Sequence, residues 1–243
     1  MSIFIKHHKA NNILTISLNR LDKKNALTAA MYSELAGILK SEVADINAVI
    51  LTGGSDFTAG NDLADFLDNP PTKSDAPVYE FMRALSDCPV PVIAAVDGVA
   101  VGIGTTLLLH CDFVYATANS LFMMPFINLA LVPEFAASLL LPLRVGHVKA
   151  AEMLLLGEKF DAATALRYGI INQVCEPENL LATATVTATK LCTKPRSALL
   201  HSKALLRRDA EPLAQRIEIE AGIFSAMLTT AEARAAIHKT LKR

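Results

Sequence analysis

Short apolar runs alternate along the chain with stretches whose apolar positions recur at helical spacing. Residues 12–18 (NILTISL) alternate apolar and polar side chains, the period-two pattern of a strand buried on one face. Residues 48–52 (AVILT) and 92–96 (VIAAV) are continuous apolar runs followed by glycine turns, as expected of strands covered on both faces. Residues 113–116 and 170–174 read as two further strands, and His7 and His8 as surface positions of an amino-terminal one. Helical spacing covers 29–39, with Thr28 as N-cap. It resumes at 105–109 and then at 134–143, 147–155, 162–168 and 180–191. The stretch 195–243 carries helical signal and no strand signal. Strands alternating with helices predict an α/β fold with mainly parallel pairing. The proline-rich stretch 69–77 is the expected mobile loop.

Composition narrows the function classes. The 243 residues are 52% hydrophobic and 19% charged, enough for a large core. A net charge of −1 gives no basic face for nucleic acid, so no nucleic-acid partner is expected. Cys88, Cys111, Cys175 and Cys192 are scattered and the histidines lack ligand spacing, so neither a metal site nor a disulfide is expected. The apolar run 90–109 is broken by Pro91, Asp97, Gly98, Gly102 and Gly104 and reads as strand, loop and helix rather than a membrane span. Residues 1–6 lack the apolar run of a signal peptide, and the last three residues are not a peroxisomal address. The expectation is a cytoplasmic protein with no membrane partner.

Three segments carry candidate chemistry. In Phe57-Thr58-Ala59-Gly60-Asn61-Asp62-Leu63, small residues at 59 and 60 allow a close backbone approach, and Asp62 suits a helix cap. The same pattern also describes an ordinary loop before a capped helix. In Gly98-Val99-Ala100-Val101-Gly102-Ile103-Gly104-Thr105-Thr106, glycines precede a helix whose first amides lack intrahelical acceptors, a natural cradle for an oxyanion. The plain alternative is a tight strand-to-helix turn. Glu134, after Pro133, is a carboxylate in an apolar stretch, where burial raises a pKa toward that of a general base. Its plain alternative is a first-turn glutamate that favours the helix dipole.

Taken in order, these segments resemble the crotonase, or enoyl-CoA hydratase/isomerase, superfamily. The likeness begins at Asn19-Arg20 and Asn25-Ala26-Leu27 and runs through the two glycine-bearing segments to Cys111-Asp112. It continues in Val145-Gly146, Ala150-Ala151-Glu152, Gly157 and Tyr168-Gly169-Ile170-Ile171. The resemblance implies a spiral of β-β-α turns over residues 1–190, and a helical region over 191–243 that supports a homotrimer or a dimer of trimers. It implies an acyl-CoA substrate, with no cofactor beyond the coenzyme A of the thioester. The main-chain N–H groups of Asn61 and Ile103 would hold the thioester oxygen, so their side chains are expected to matter little. The acyl-CoA would lie against Lys24, Ala26, Ala59, Asp62 and Leu63. In the carboxyl-terminal region, Ile217, Ile223, Phe224 and Leu228 would face a subunit interface, with Lys239 or Lys242 available to phosphate.

The acid/base groups choose among the superfamily's reactions. The two glutamates of the hydratases fall on Thr106 and Phe126, neither of which exchanges a proton at neutral pH. Glu134 stands where the monofunctional 3,2-enoyl-CoA isomerases carry their single base. The resemblance therefore implies a 3,2-enoyl-CoA isomerase of fatty acid β-oxidation, with Glu134 as base. The alternatives are a hydratase-like or other crotonase-type acyl-CoA enzyme, and a non-catalytic acyl-CoA-binding protein.

Overall fold

The computed structural model describes residues 3–71 and 75–206. The strands β1 (Ile5–Ala10) and β2 (Ile13–Leu18) form an antiparallel hairpin. Its two-residue turn is Asn11-Asn12, both left-handed (φ 53° and 62°), a conformation asparagine tolerates better than most residues. Helix α1 (Ala29–Ser41) starts at Thr28, whose hydroxyl accepts from the Met31 N–H at 3.4 Å. Then follow β3 (Ala48–Thr52), α2 (Leu63–Asp68), α3 (Pro77–Ser86), β4 (Val92–Val96), β5 (Val99–Val101) and the single turn α4 (Ile103–Thr106). The chain continues through β6 (Phe113–Thr117), β7 (Leu121–Met123), α5 (Ala137–Val145), α6 (His147–Leu155), β8 (Phe160–Asp161) and α7 (Ala162–Arg167). It ends, within the described residues, with β9 (Gln173–Cys175), α8 (Leu180–Cys192) and α9 (Arg196–Leu206).

Six strands form one sheet in the order β1-β2-β3-β4-β6-β9, parallel except for β1. The small sheet β5-β7-β8 stands beside it. The central strands alternate between two apolar layers. Val49, Leu51, Val92, Ala94 and Val96 face the core shared with α1 and α3. Ala48, Ile50, Ile93 and Ala95 face α8, where Ala184 and Ala188, one turn apart, admit the helix close to the sheet. Burial on both faces explains why β3 and β4 read as unbroken apolar runs.

The structure corrects three expectations. The stretch 69–77 does not stay a loop to its end: Pro77 opens α3, a position where its missing N–H costs nothing. The strand expected at 170–174 is β9, three residues long, because Ile170 and Ile171 are tied back to the Ala165 carbonyl. The helix expected from Glu134 begins at Ala137, because Phe135 and Ala136 are both left-handed (φ 55° and 54°). In α9, Lys203 is only 4% exposed; its ammonium donates to the Val90 carbonyl at 2.5 Å and to Asp112 at 2.7 Å. Ile217, Ile223, Phe224, Leu228, Lys239 and Lys242 lie outside the described residues. Among the described residues no helix is long and apolar enough to cross a membrane.

Candidate active site

A buried asparagine ties the first two site segments together. Asn25 is fully buried; its amide donates to the carbonyls of Gly53 (2.7 Å) and Asp56 (2.6 Å) and accepts from the Arg20 N–H (2.7 Å). Its own carbonyl accepts from the Thr58 hydroxyl at 2.7 Å. The main chain completes the seam: Ala59 N–H reaches the Lys24 carbonyl, Leu27 N–H the Gly60 carbonyl, and Asp62 N–H the Leu27 carbonyl, at 2.8, 2.8 and 2.9 Å. Arg20 donates to Asp62 at 2.7 Å and to the Ala26 carbonyl at 2.8 Å. The guanidinium holds the Asp62 carboxyl below the usual carboxylate range. The other Asp62 oxygen caps α2, as expected. Lys24, Ala26, Ala59, Asp62 and Leu63 are thus brought into one strip. Lys24 is mostly exposed, with its ammonium 4.0 Å from Asp56, and Leu63 is half-exposed.

The 58–61 segment runs beside 99–104. Thr58 pairs with Ala100. A Cβ on Gly60 (φ 90°) would lie 2.6 Å from the Val101 carbonyl oxygen, and one on Gly104 would lie 2.7 Å from the Thr58 methyl. Gly102 takes the positive φ, 56°, that turns β5 into α4, so Ile103 keeps an ordinary backbone conformation with its side chain fully buried. Within the described residues, neither the Asn61 nor the Ile103 N–H has an acceptor.

Glu134 sits on the bend before α5, and its carbonyl accepts from Ala137 N–H at 3.0 Å. Its Oε1 is buried without a partner; among the described residues the Thr106 hydroxyl oxygen is the other such atom. Burial raises the Glu134 pKa to about 7, and a hydrogen bond from Asn61 works against that rise. Thr106 and Phe126, at the hydratase glutamate positions, are both buried. The ring of Phe135 stacks on His110 (3.8 Å between centroids) and leans on Phe81 (6.4 Å), which in turn meets Tyr32 (5.5 Å).

Two features escaped the sequence. The Asn61 side chain is not idle: its Oδ1 accepts a short hydrogen bond from the Tyr32 hydroxyl, while its amide also bonds Glu134. Tyr32 itself left a faint signal, a hydroxyl-tipped residue on the buried face that α1 otherwise fills with Met31, Leu35, Ala36 and Leu39. His110 left none, because its partner Phe135 is 25 residues away along the chain.

The two-sheet architecture, with its glycine-lined junction of 58–61 and 99–104, defines a crotonase fold. A family model described as enoyl-CoA hydratase/isomerase matches residues 8–243, and the chain belongs to that family. It is 36% identical over 206 residues to rat enoyl-CoA delta isomerase 2, covering 81% of this chain and 52% of that protein. It is 36% identical over 233 residues to the 1,2-epoxyphenylacetyl-CoA isomerase of Escherichia coli K12, covering 90% and 88%. The chain therefore spans about half the length of the first of these relatives and most of the second. Among solved structures, one from Magnetospirillum magneticum AMB-1, named for enoyl-CoA hydratase/carnithine racemase, superposes with a TM-score of 0.95 at 44% identity, covering 100% of this chain and 98% of that one. Other relatives carry hydratase names.

Proposed function

We propose that this protein is a 3,2-enoyl-CoA isomerase acting in fatty acid β-oxidation. The observation that carries the reading is the state of Glu134: a buried carboxyl with a pKa near 7 and one oxygen without a partner. A base is most effective when its pKa lies close to the working pH. In this scheme Glu134 takes the C2 proton of a 3-enoyl thioester, and the electron pair moves through the alkene to give a dienolate. The thioester oxygen gains the charge and is held by the N–H groups of Asn61 and Ile103. The same carboxyl then returns the proton at C4, leaving the 2-enoyl thioester. Proton and electrons balance without water or a redox partner, and coenzyme A enters as part of the substrate. An oxyanion donor of this kind contributes on the order of 10²–10³-fold.

Thr106 and Phe126 favour isomerisation over hydration, because water addition needs a second group to move a proton and neither side chain does so. Lys24, Ala26, Ala59, Asp62 and Leu63 are the proposed coenzyme A contacts. The assembly is proposed to be a homotrimer or a dimer of trimers, and the exposed apolar side chains of Leu139, Leu143, Val148 and Leu155 on α5 and α6 support association. Light scattering that finds a stable monomer at micromolar concentration would count against it. The deciding experiment gives the pure protein a 3-enoyl-CoA and crotonyl-CoA in parallel. Rapid 2-enoyl formation with slow hydration supports the isomerase. Comparable specificity constants point to a hydratase-like enzyme, and binding without turnover to an acyl-CoA carrier.

A further inference from the structure

We propose that Tyr32 is a positioning residue whose hydroxyl, acting through the Asn61 amide, selects the oxygen of Glu134 that carries the proton. The inference rests on the reading of Glu134 as the base. A phenol that donates to Oδ1 of Asn61 leaves only the Nδ2 branch of that amide to face Glu134. An ionised carboxylate only accepts, so Nδ2–H donates to it. Oε1 of Glu134 has no partner, so the Asn61 bond is made to Oε2. Oε2 is therefore held, and Oε1 is the oxygen left to take and return the proton.

The orientation depends on Tyr32. An amide can rotate by half a turn with little change of shape. Rotation here would set the Asn61 carbonyl against an ionised carboxylate and two donors against each other at the phenol. Tyr32 is 1% exposed and wedged against Phe81 at 5.5 Å, so its hydroxyl cannot swing away to water. Burial, with the nearby charges of Glu134 and Asp65, pushes its pKa well above the ordinary value, so it remains a donor throughout the cycle and is not the acid. One residue then serves both halves of the reaction: the Asn61 main chain faces the proposed oxyanion, and its side chain orients the base.

A structural role would also bury Tyr32, so the test removes the hydroxyl alone. Tyr32→Phe keeps the ring. It should lower kcat roughly 10-fold or more, the scale of a small misplacement of a reacting group, with KM within about twofold. Losing a fixed donor to the carboxylate should also move the rising limb of the pH–rate profile to higher pH. Asn61→Ala, which keeps the main-chain N–H, should give the same displacement. In the Asn61→Ala background, Tyr32→Phe should have no further effect, because both changes break one chain of bonds. An unmoved pH profile in both variants, or equal fold-losses for Tyr32→Phe in the two backgrounds, overturns the proposal. If Glu134→Gln turns over normally, the reading of the base falls and this inference with it. If Glu134→Gln is inactive while Tyr32→Phe behaves as the wild type, the positioning role alone falls.

Discussion

His110 holds Phe135 twice: the two rings stack at 3.8 Å, and the imidazole Nε2 lies 2.8 Å from the Phe135 carbonyl oxygen. A carbonyl only accepts, so the ring donates there. Phe135 and Ala136 are consecutive left-handed residues directly after Glu134. Such a conformation costs a non-glycine residue about 1–3 kcal/mol and persists only where its surroundings impose it. His110→Ala should let this bend relax and lower kcat about 10-fold while coenzyme A binding changes little. Steady-state kinetics beside direct titration with coenzyme A separates the two, and an unchanged kcat would remove His110 from the support of the base.

Glu134→Gln keeps size and hydrogen bonding but cannot accept the substrate proton. General-base action contributes on the order of 10²–10⁴-fold, so kcat for the 3-enoyl thioester should fall by at least that order. Circular dichroism should be unchanged. Near-normal turnover would remove Glu134 from the mechanism.

The Glu134 pKa of about 7 makes activity and stability respond to pH in opposite directions. The base works ionised, so kcat/KM should rise with pH through about 7. Folding raises this pKa above the ordinary 4.5, so between the two values the folded chain holds more protons than the unfolded one. The stabilising contribution is complete below pH 4.5 and is lost as pH rises through about 7, to the extent of roughly 3 kcal/mol. Thermal unfolding at pH 5 and pH 8 should show a smaller decline for Glu134→Gln than for the wild type. Parallel curves would mean that the carboxyl is not the group that titrates.

Ile103 offers its main chain to the site and its side chain to the core. Ile103→Val should therefore keep most activity, at a stability cost of about 0.5–1.5 kcal/mol. Ile103→Pro should abolish turnover, because it removes the N–H. Turnover in the proline variant would place the oxyanion donor elsewhere.

Gly60 has both a left-handed φ of 90° and a Cβ direction that points at the Val101 oxygen, 2.6 Å away. Gly60→Ala must push 58–61 away from 99–102, and activity should drop by about 10²-fold. Gly37→Ala, on α1 with nothing within 4 Å of the new methyl, should instead raise the melting temperature and leave kcat alone. Kinetics and melting curves on the pair test whether the close approach at Gly60 sustains the site.

The elements legible in the sequence were those with a strong local cause. The strands at 48–52 and 92–96 announced themselves because burial on both faces leaves no room for polar residues. Thr28 and Asp62 marked helix starts because their oxygens meet orphan amides a few residues on. The strands of the small sheet were too short, at three, three and two residues, for any period to show. Among the candidate site residues, Asn61, Ile103 and Glu134 could be picked out from their motifs, and nothing in those motifs told what surrounds them. By itself the sequence determined the layering of the main sheet, the glycines that bring 58–61 against 99–104, and the absence of a carboxylate at 106 and 126. Only the tertiary structure decided that Glu134 lies outside its helix, that its Oε1 goes unpartnered, and that Tyr32 reaches it through Asn61. Those facts depend on side chains 29 to 102 positions apart meeting in a space that water has left, and no local pattern of apolar and polar residues records such a meeting.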